Sequence, residues 1–214
     1  MRLMSPNRSA NPRRPTYKDK KREETRAKLL AAARQLFAEH GYDDVPVTEI
    51  AQHAGVTHSM INVYFGGKPG LLYEIIRENN APQYGESSEI AAQDKPPTER
   101  ISDLLLGWAR ADAEEPRLLA IMQSYSWVWP DETEAENVAD RARFKQMIAR
   151  LVEQGQAEGE IARDVVPDDA ARAIFAVYTW GMRGVVFDDK TPEECHAQIM
   201  NQLAALLGKP AGAQ

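Results

Sequence analysis

Residues 48–68, TEIAQHAGVTHSMINVYFGGK, decide the reading of this chain. They read as two short helices joined by a tight turn, the unit that lays a helix in the DNA major groove. Residues 48–54 carry Ile50, Ala51 and Ala54 at helical spacing. Gly55 stops that helix, because glycine enters the left-handed conformation without a Cβ clash. Val56 fills the corner, and the Thr57 hydroxyl is expected to cap the next helix. In that helix Ile61 and Phe65 stand four apart and face inward. His58, Ser59 and Asn62 then point outward from its first turns. A recognition helix presents polar side chains to base edges from that position.

Working outward, residues 24–40 read as an amphipathic helix with Leu29, Leu30, Ala33, Leu36 and Phe37 on one stripe. It stops at His40-Gly41-Tyr42. On the other side, Tyr64-Phe65-Gly66-Gly67-Lys68 leads into a helix from Pro69, a residue suited to a first helical position. The three signatures "LFAEHGY", "EIAQHAGVT" and "YFGGK…LL" lie within residues 29–72. Together they closely resemble the N-terminal domain of the tetracycline-repressor (TetR/AcrR) family of transcriptional regulators.

The resemblance implies an all-α protein: a three-helix DNA-binding domain followed by a helical ligand-binding and dimerisation domain. It implies DNA contacts at Thr48, Tyr64 and Lys68, at the start of the second helix, the end of the third and the start of the fourth. With Thr57, His58, Ser59 and Asn62 these form the expected double-stranded DNA interface. Asn62 stands where the family more often has Tyr, and Pro46 replaces the usual Ser/Thr cap of the second helix. The family further implies a homodimer on a palindromic operator, its recognition helices about 34–36 Å apart. Release by a small molecule and dimerisation through residues 167–188 and 191–207 follow from the same source, with Gly181 and Gly184 allowing close helix approach. The rival expectation is a constitutive DNA-binding or architectural protein without an effector; a fully packed C-terminal part would support it.

Charge agrees with a division of labour. The net charge is −6, yet residues 1–30 hold ten Lys/Arg against three Asp/Glu. Arg13, Arg14, Lys18, Lys20, Lys21 and Arg22 supply most of the positive charge next to the first helix. Residues 69–214 carry a net −11, the balance of the total after +7 over residues 1–30 and −2 over residues 31–68. A basic end beside an acidic body is the asymmetry expected when one part meets a polyanion. The expected organisation is a basic, largely disordered arm over 1–22, the helix-turn-helix domain over 23–70, the larger helical domain over 71–207 and a tail over 208–214.

Within the larger domain, residues 81–97 read as a polar loop that begins near Pro82. Helices are expected from Thr98, from Pro116 through Trp129, over 132–158 with Val138 on its apolar stripe, over 167–188, and from Pro192 with Cys195, Ile199, Leu203 and Leu206. No run of 18 apolar residues indicates a membrane span, and no signal-peptide core is found, so a cytoplasmic protein is expected.

Enzyme chemistry finds little support. No two of His40, His53, His58 and His196 have the i,i+4 spacing of metal ligands on one helical face. Gly66-Gly67-Lys68-Pro69-Gly70 follows a helix and is not a phosphate-binding P-loop. No cofactor motif is found, and Cys195 is the single cysteine. The C-terminal part does hold all four tryptophans. The resemblance implies a ligand cavity among these helices, and pockets are commonly lined by such side chains, so Tyr125, Trp127, Trp129 and Tyr178 are the expected contacts of a lipophilic, aromatic-ring-containing effector. Carboxylates inside a cavity would favour a cation, and their absence a neutral lipophile.

Overall fold

The computed structural model describes residues 16–125 and 127–207. Among them every regular element is helical: α1 (Tyr17–His40), α2 (Val47–His53), α3 (Ser59–Phe65), α4 (Lys68–Ala91), α5 (Pro97–Glu114), α6 (Pro116–Tyr125), α7 (Asp131–Glu158), α8 (Pro167–Gly181), α9 (Arg183–Phe187) and α10 (Pro192–Leu206). None of these is long and apolar enough to cross a membrane. Arg13, Arg14 and the rest of the arm up to residue 15, like the tail over 208–214, lie outside the described residues.

Helix α1 begins at Tyr17, seven residues before the expected start. Thr16 explains it. Its hydroxyl accepts from Asp19 N at 3.2 Å, and the Asp19 carboxylate accepts from Thr16 N at 2.8 Å. This reciprocal cap satisfies two backbone donors that a helix start would leave free. Lys18, Lys20, Lys21 and Arg22 therefore project from a helix rather than from an arm.

The expected loop over 81–97 is also corrected. Helix α4 runs through Pro82 to Ala91, leaving only residues 92–96 as the connection. Pro82 has no N–H for the Glu78 carbonyl. Tertiary packing overrides that loss: Ser87 is buried, Ile90 and Ala91 pack on the larger core, and buried Arg100 donates to Ala91 O at 2.8 Å.

Two cores form. The smaller holds Leu29, Ala33, Phe37, Ile50, Ile61 and Leu71 from α1–α4. The larger holds Ile101, Leu105, Ile148, Val152, Ile174 and Ile199 from α5, α7, α8 and α10. Helix α6 ends at Tyr125 rather than Trp129. The expected 167–188 helix breaks at Met182 into α8 and α9. Val138 and Leu206 are exposed, and Leu207, four residues after Leu203, takes the buried place. Gly181 and Gly184 do allow close approach, but within the chain: a Cβ at Gly181 would overlap Ile199, and one at Gly184 would come within 2.8 Å of Cys195 Sγ.

Candidate nucleic-acid interface

The α2–α3 corner is built as its residues dictate. Gly55 has φ +68°, and Val56 N donates to Ala51 O at 2.9 Å. The expected Thr57 cap is replaced by a simpler arrangement. Thr57 Oγ1 lies 3.1 Å from Ser59 Oγ, and the Thr57 carbonyl takes the bond from Met60 N at 3.0 Å. Ile61 anchors α3 in the smaller core, with Phe65 half-buried against it. The opposite face carries exposed His58, Ser59, Asn62 and Val63. Val63 is 67% exposed. Sequence reasoning passed over it, although Ser59, Asn62 and Val63 follow the i, i+3, i+4 spacing of a single face.

Around that face the structure gathers the other expected DNA contacts. Thr48 is exposed on the first turn of α2, after a Pro46 that supplies no side-chain cap. Half-buried Tyr64 lies under the Arg22 guanidinium, 5.6 Å from ring to cation, and Arg26 sits at the same distance over Phe65. These contacts bring the basic start of α1 beside the end of α3. Arg26 is further tied to α4 through Glu74. Lys68 opens α4, its Nζ 4.3 Å from the Tyr42 ring centroid and 3.5 Å from Asp43 O. Burial against that ring lowers its pKa.

Helix α6 joins this domain to the larger one. Arg117 donates to Ala38 O at the end of α1, and Glu115 accepts from Arg34 at 2.7 Å. The Tyr125 hydroxyl donates to Asp43, and its ring packs 4.5 Å from that of Tyr42. Trp129 continues the stack, 5.8 Å from Tyr125 and 5.9 Å from Tyr73. The Tyr73 hydroxyl in turn donates to Asp140 on α7 at 2.9 Å.

The four expected effector residues therefore fall in different places. Tyr125 and Trp129 pack on the smaller core. Trp127 is 92% exposed, and with Trp129, Glu134 and Arg141 lines an open groove of about 410 Å³. Tyr178 is buried in the larger core, donating to Asp112 Oδ2 at 2.6 Å. Burial pushes the Asp112 carboxyl up to about 6, against the opposing pull of Tyr178 and Gln83. Beside Asp112 lies a cavity of only about 10 Å³, room for one water molecule. Asp112 carried no signal in the sequence, where a carboxylate on an amphipathic helix reads as solvent-facing.

Comparison with known proteins places both parts. Residues 29–75 match the family model for bacterial regulatory proteins of the tetR family, and residues 94–183 match a tetracyclin repressor-like C-terminal domain. The chain is 26% identical over 160 residues to the transcriptional repressor BepR of Brucella suis, covering 72% of this chain and 77% of that one. A TetR/AcrR-family regulator from Thermobifida fusca superposes with a TM-score of 0.66 at 25% identity, covering 88% and 98%. FadR of Thermus thermophilus, crystallised with lauroyl-CoA, shares the fold with a TM-score of 0.69 at 23% identity, covering 88% and 98%. With its corner geometry, its exposed recognition face and both domains matched, the chain belongs to the TetR family and is a helix-turn-helix DNA-binding transcriptional regulator.

Proposed function

We propose that the protein is a homodimeric repressor, acting in the cytoplasm, that a small molecule releases from a palindromic operator. The observation that carries the reading is the outer face of α3, where His58, Ser59, Asn62 and Val63 stand free while Ile61 is locked in the core. In the major groove Asn62 would pair with adenine N6/N7 and Val63 would meet a thymine methyl. Thr48, Thr57, Tyr64 and Lys68, with the basic start of α1, would bind backbone phosphates, which position the protein without reading sequence. Trp180, 70% exposed, and Phe187, 64% exposed, give the α8–α9 end an apolar face for the second subunit.

The effector reading rests on α6, which contacts the end of α1 and the loop before α2. A ligand that shifts α6 moves the recognition helices, and its leverage is its differential affinity for the two states. Tyr178 serves as an effector contact in this reading. Tyr125 and Trp129 relay the change, and Trp127 borders the groove on the outer side. The lauroyl-CoA held by Thermus FadR supports a small-molecule effector for this fold. One observation favours the second reading, a constitutive DNA-binding protein: the cavity beside Asp112 admits little more than a water molecule. Selection of bound duplexes from a random pool, repeated with compounds of graded charge and size, separates the two. Enrichment of a palindrome that a compound releases supports the repressor. A palindrome that no compound releases supports the constitutive reading, and failure to enrich any sequence overturns both.

A further inference from the structure

Asp112 is the group in the larger domain that the packing least explains. Its carboxyl is buried on α5, and among the described residues no Lys, Arg or His forms an ion pair with it. Its one strong partner is the Tyr178 hydroxyl at 2.6 Å. Gln83 lies alongside, and its Nε2 is buried with no hydrogen bond of good geometry. Buried anions are ordinarily paired, because an isolated charge in a low-dielectric interior is costly. Here the counter-charge is missing, and the amide beside the carboxyl is at best loosely engaged with it.

The surroundings suit a cation with an apolar body. One turn before Asp112, the Trp108 ring packs edge-on at 5.6 Å from Tyr178 and 5.4 Å from Phe144. Its Nε1 is committed to Ser87 Oγ at 2.8 Å, so Trp108 leaves Asp112 without a donor and backs the site with apolar surface. A buried carboxylate without a counter-charge, beside apolar walls, attracts an organic cation. The small cavity at Asp112 is walled by Asn79 and Asn80 of α4 and by Leu118, Leu119 and Met122 of α6. The second carboxylate on that wall, Glu115, is satisfied by Arg34 on α1. The α4 wall is the part that Pro82 weakens, since the Glu78 carbonyl there has no partner four residues on. Parting α4 from α6 would enlarge the cavity next to the unpaired carboxyl. It would also shift the helix that carries Arg117 and Tyr125 to the DNA-binding domain.

We propose that Asp112 anchors the effector, and that the effector is an organic cation: an amine or quaternary ammonium group on an apolar body lodged against Leu118, Leu119 and Met122. This rests on the effector-released repressor reading and names its ligand class. An anionic amphiphile is excluded from the same site by Asp112 itself.

Three probes share one apolar body and differ in charge: 4-phenylbutylamine, 4-phenylbutanol and 4-phenylbutyrate. They are titrated by calorimetry into the full chain without DNA near neutral pH. The amine is expected to bind at least about tenfold more tightly than the alcohol, the converted equivalent of one charge-assisted contact, with no binding by the carboxylate. Asp112→Asn should bring amine and alcohol within about twofold, and Tyr178→Phe, which keeps the carboxyl, should retain the preference for the amine. Equal binding of the three probes, no binding of the amine, or a preference that survives in Asp112→Asn overturns the proposal. Amine binding that leaves a selected operator complex intact overturns the effector role. Absence of any selected operator would strike the repressor reading instead, while the DNA-free titration still decides the cation site.

Discussion

The two cores are both helical and both well filled, yet they treat polarity in opposite ways. In the smaller one, Leu29, Ala33, Phe37, Ile50 and Ile61 exclude every charge, and the ionic groups sit outside: Arg22 over Tyr64, Arg26 on Glu74, Lys68 over Tyr42. In the larger one, Asp112, Tyr178, Ser87 and Arg100 are buried among the aliphatics. An all-apolar core is the cheaper way to hold the short α2 and α3 rigidly against α1 and α4, and DNA is met on the outside of such a unit. A buried polar cluster costs stability, and it gains a purpose if something enters to complete it. On the proposed reading, a domain that meets its ligand with its surface keeps its core apolar, and one that meets it with its interior keeps unpaired polar atoms there, as with Gln83 Nε2.

The comparison breaks most readily at Ile61. Truncation to Ala removes the one fully buried side chain that α3 contributes to the smaller core. A loss of about 2–5 kcal/mol is expected for such a cavity, read by urea denaturation, with operator affinity falling alongside. An α3 that kept full stability without Ile61 would mean that the recognition helix is held from elsewhere.

Asp112→Asn tests the other core by the opposite sign. The free-chain carboxyl titrates near 4, and burial raises it to about 6 in the fold. A raised carboxyl means that the folded state binds the proton more tightly, so this group's contribution to stability is present below about pH 4 and lost as pH rises towards 6. The groups facing it are Tyr178, itself raised well above its ordinary value and neutral throughout this window, the Gln83 amide, and Glu115, which is turned to Arg34. Stability of the unliganded wild type should therefore fall by roughly 2–3 kcal/mol across that window from this group alone, and the Asn variant should lack that component. Identical pH profiles for the two proteins would show that Asp112 is not buried as an ion.

The sequence discloses the two domains unequally, for reasons that lie in particular residues. The α2–α3 corner is legible because its determinants are local: Gly55 stops one helix, and Ile61 and Phe65 orient the next. The outward start of α3 follows from those two residues alone. Helix α4 is not legible, because Pro82 and the polar run around it carry a loop signature that only the distant contacts of Ser87, Ile90 and Arg100 overrule. Trp127 and Asp112 show the limit from opposite sides. An aromatic expected to contact an effector is almost fully exposed on an open groove, and a carboxylate that reads as surface is buried by Tyr178, 66 residues further along the chain. Period and composition report what one helix prefers; which neighbour covers it is a non-local fact.

Within the DNA-binding surface, Asn62→Ala separates base reading from positioning. The Asn62 side chain is exposed, so stability should change little. Operator affinity should fall by about 1–3 kcal/mol, with relaxed preference at one base position. Selection from a random pool reads both. Unchanged affinity with unchanged preference would move base reading to His58, Ser59 and Val63.

The smallest expected effect concerns Lys68, where the two regions meet. Its ammonium rests on the Tyr42 ring, the same ring that Tyr125 of α6 packs against, and Tyr125 also holds Asp43, whose carbonyl Lys68 approaches. Lys68 can serve a phosphate only by giving up part of this partly desolvated seat, so its net gain from DNA is reduced by what it leaves. Lys68→Ala should thus weaken binding modestly and evenly across sequences, flattening the dependence of log affinity on log salt by about 0.9. Tyr125→Phe frees Asp43 while keeping the ring in place, and should leave that salt slope intact while weakening the response of the operator complex to effector. If Lys68→Ala changes preference among operators, the side chain reads bases rather than phosphates. If Tyr125→Phe alters the salt slope as much as Lys68→Ala does, then Asp43 and not the Tyr42 ring sets where the lysine sits.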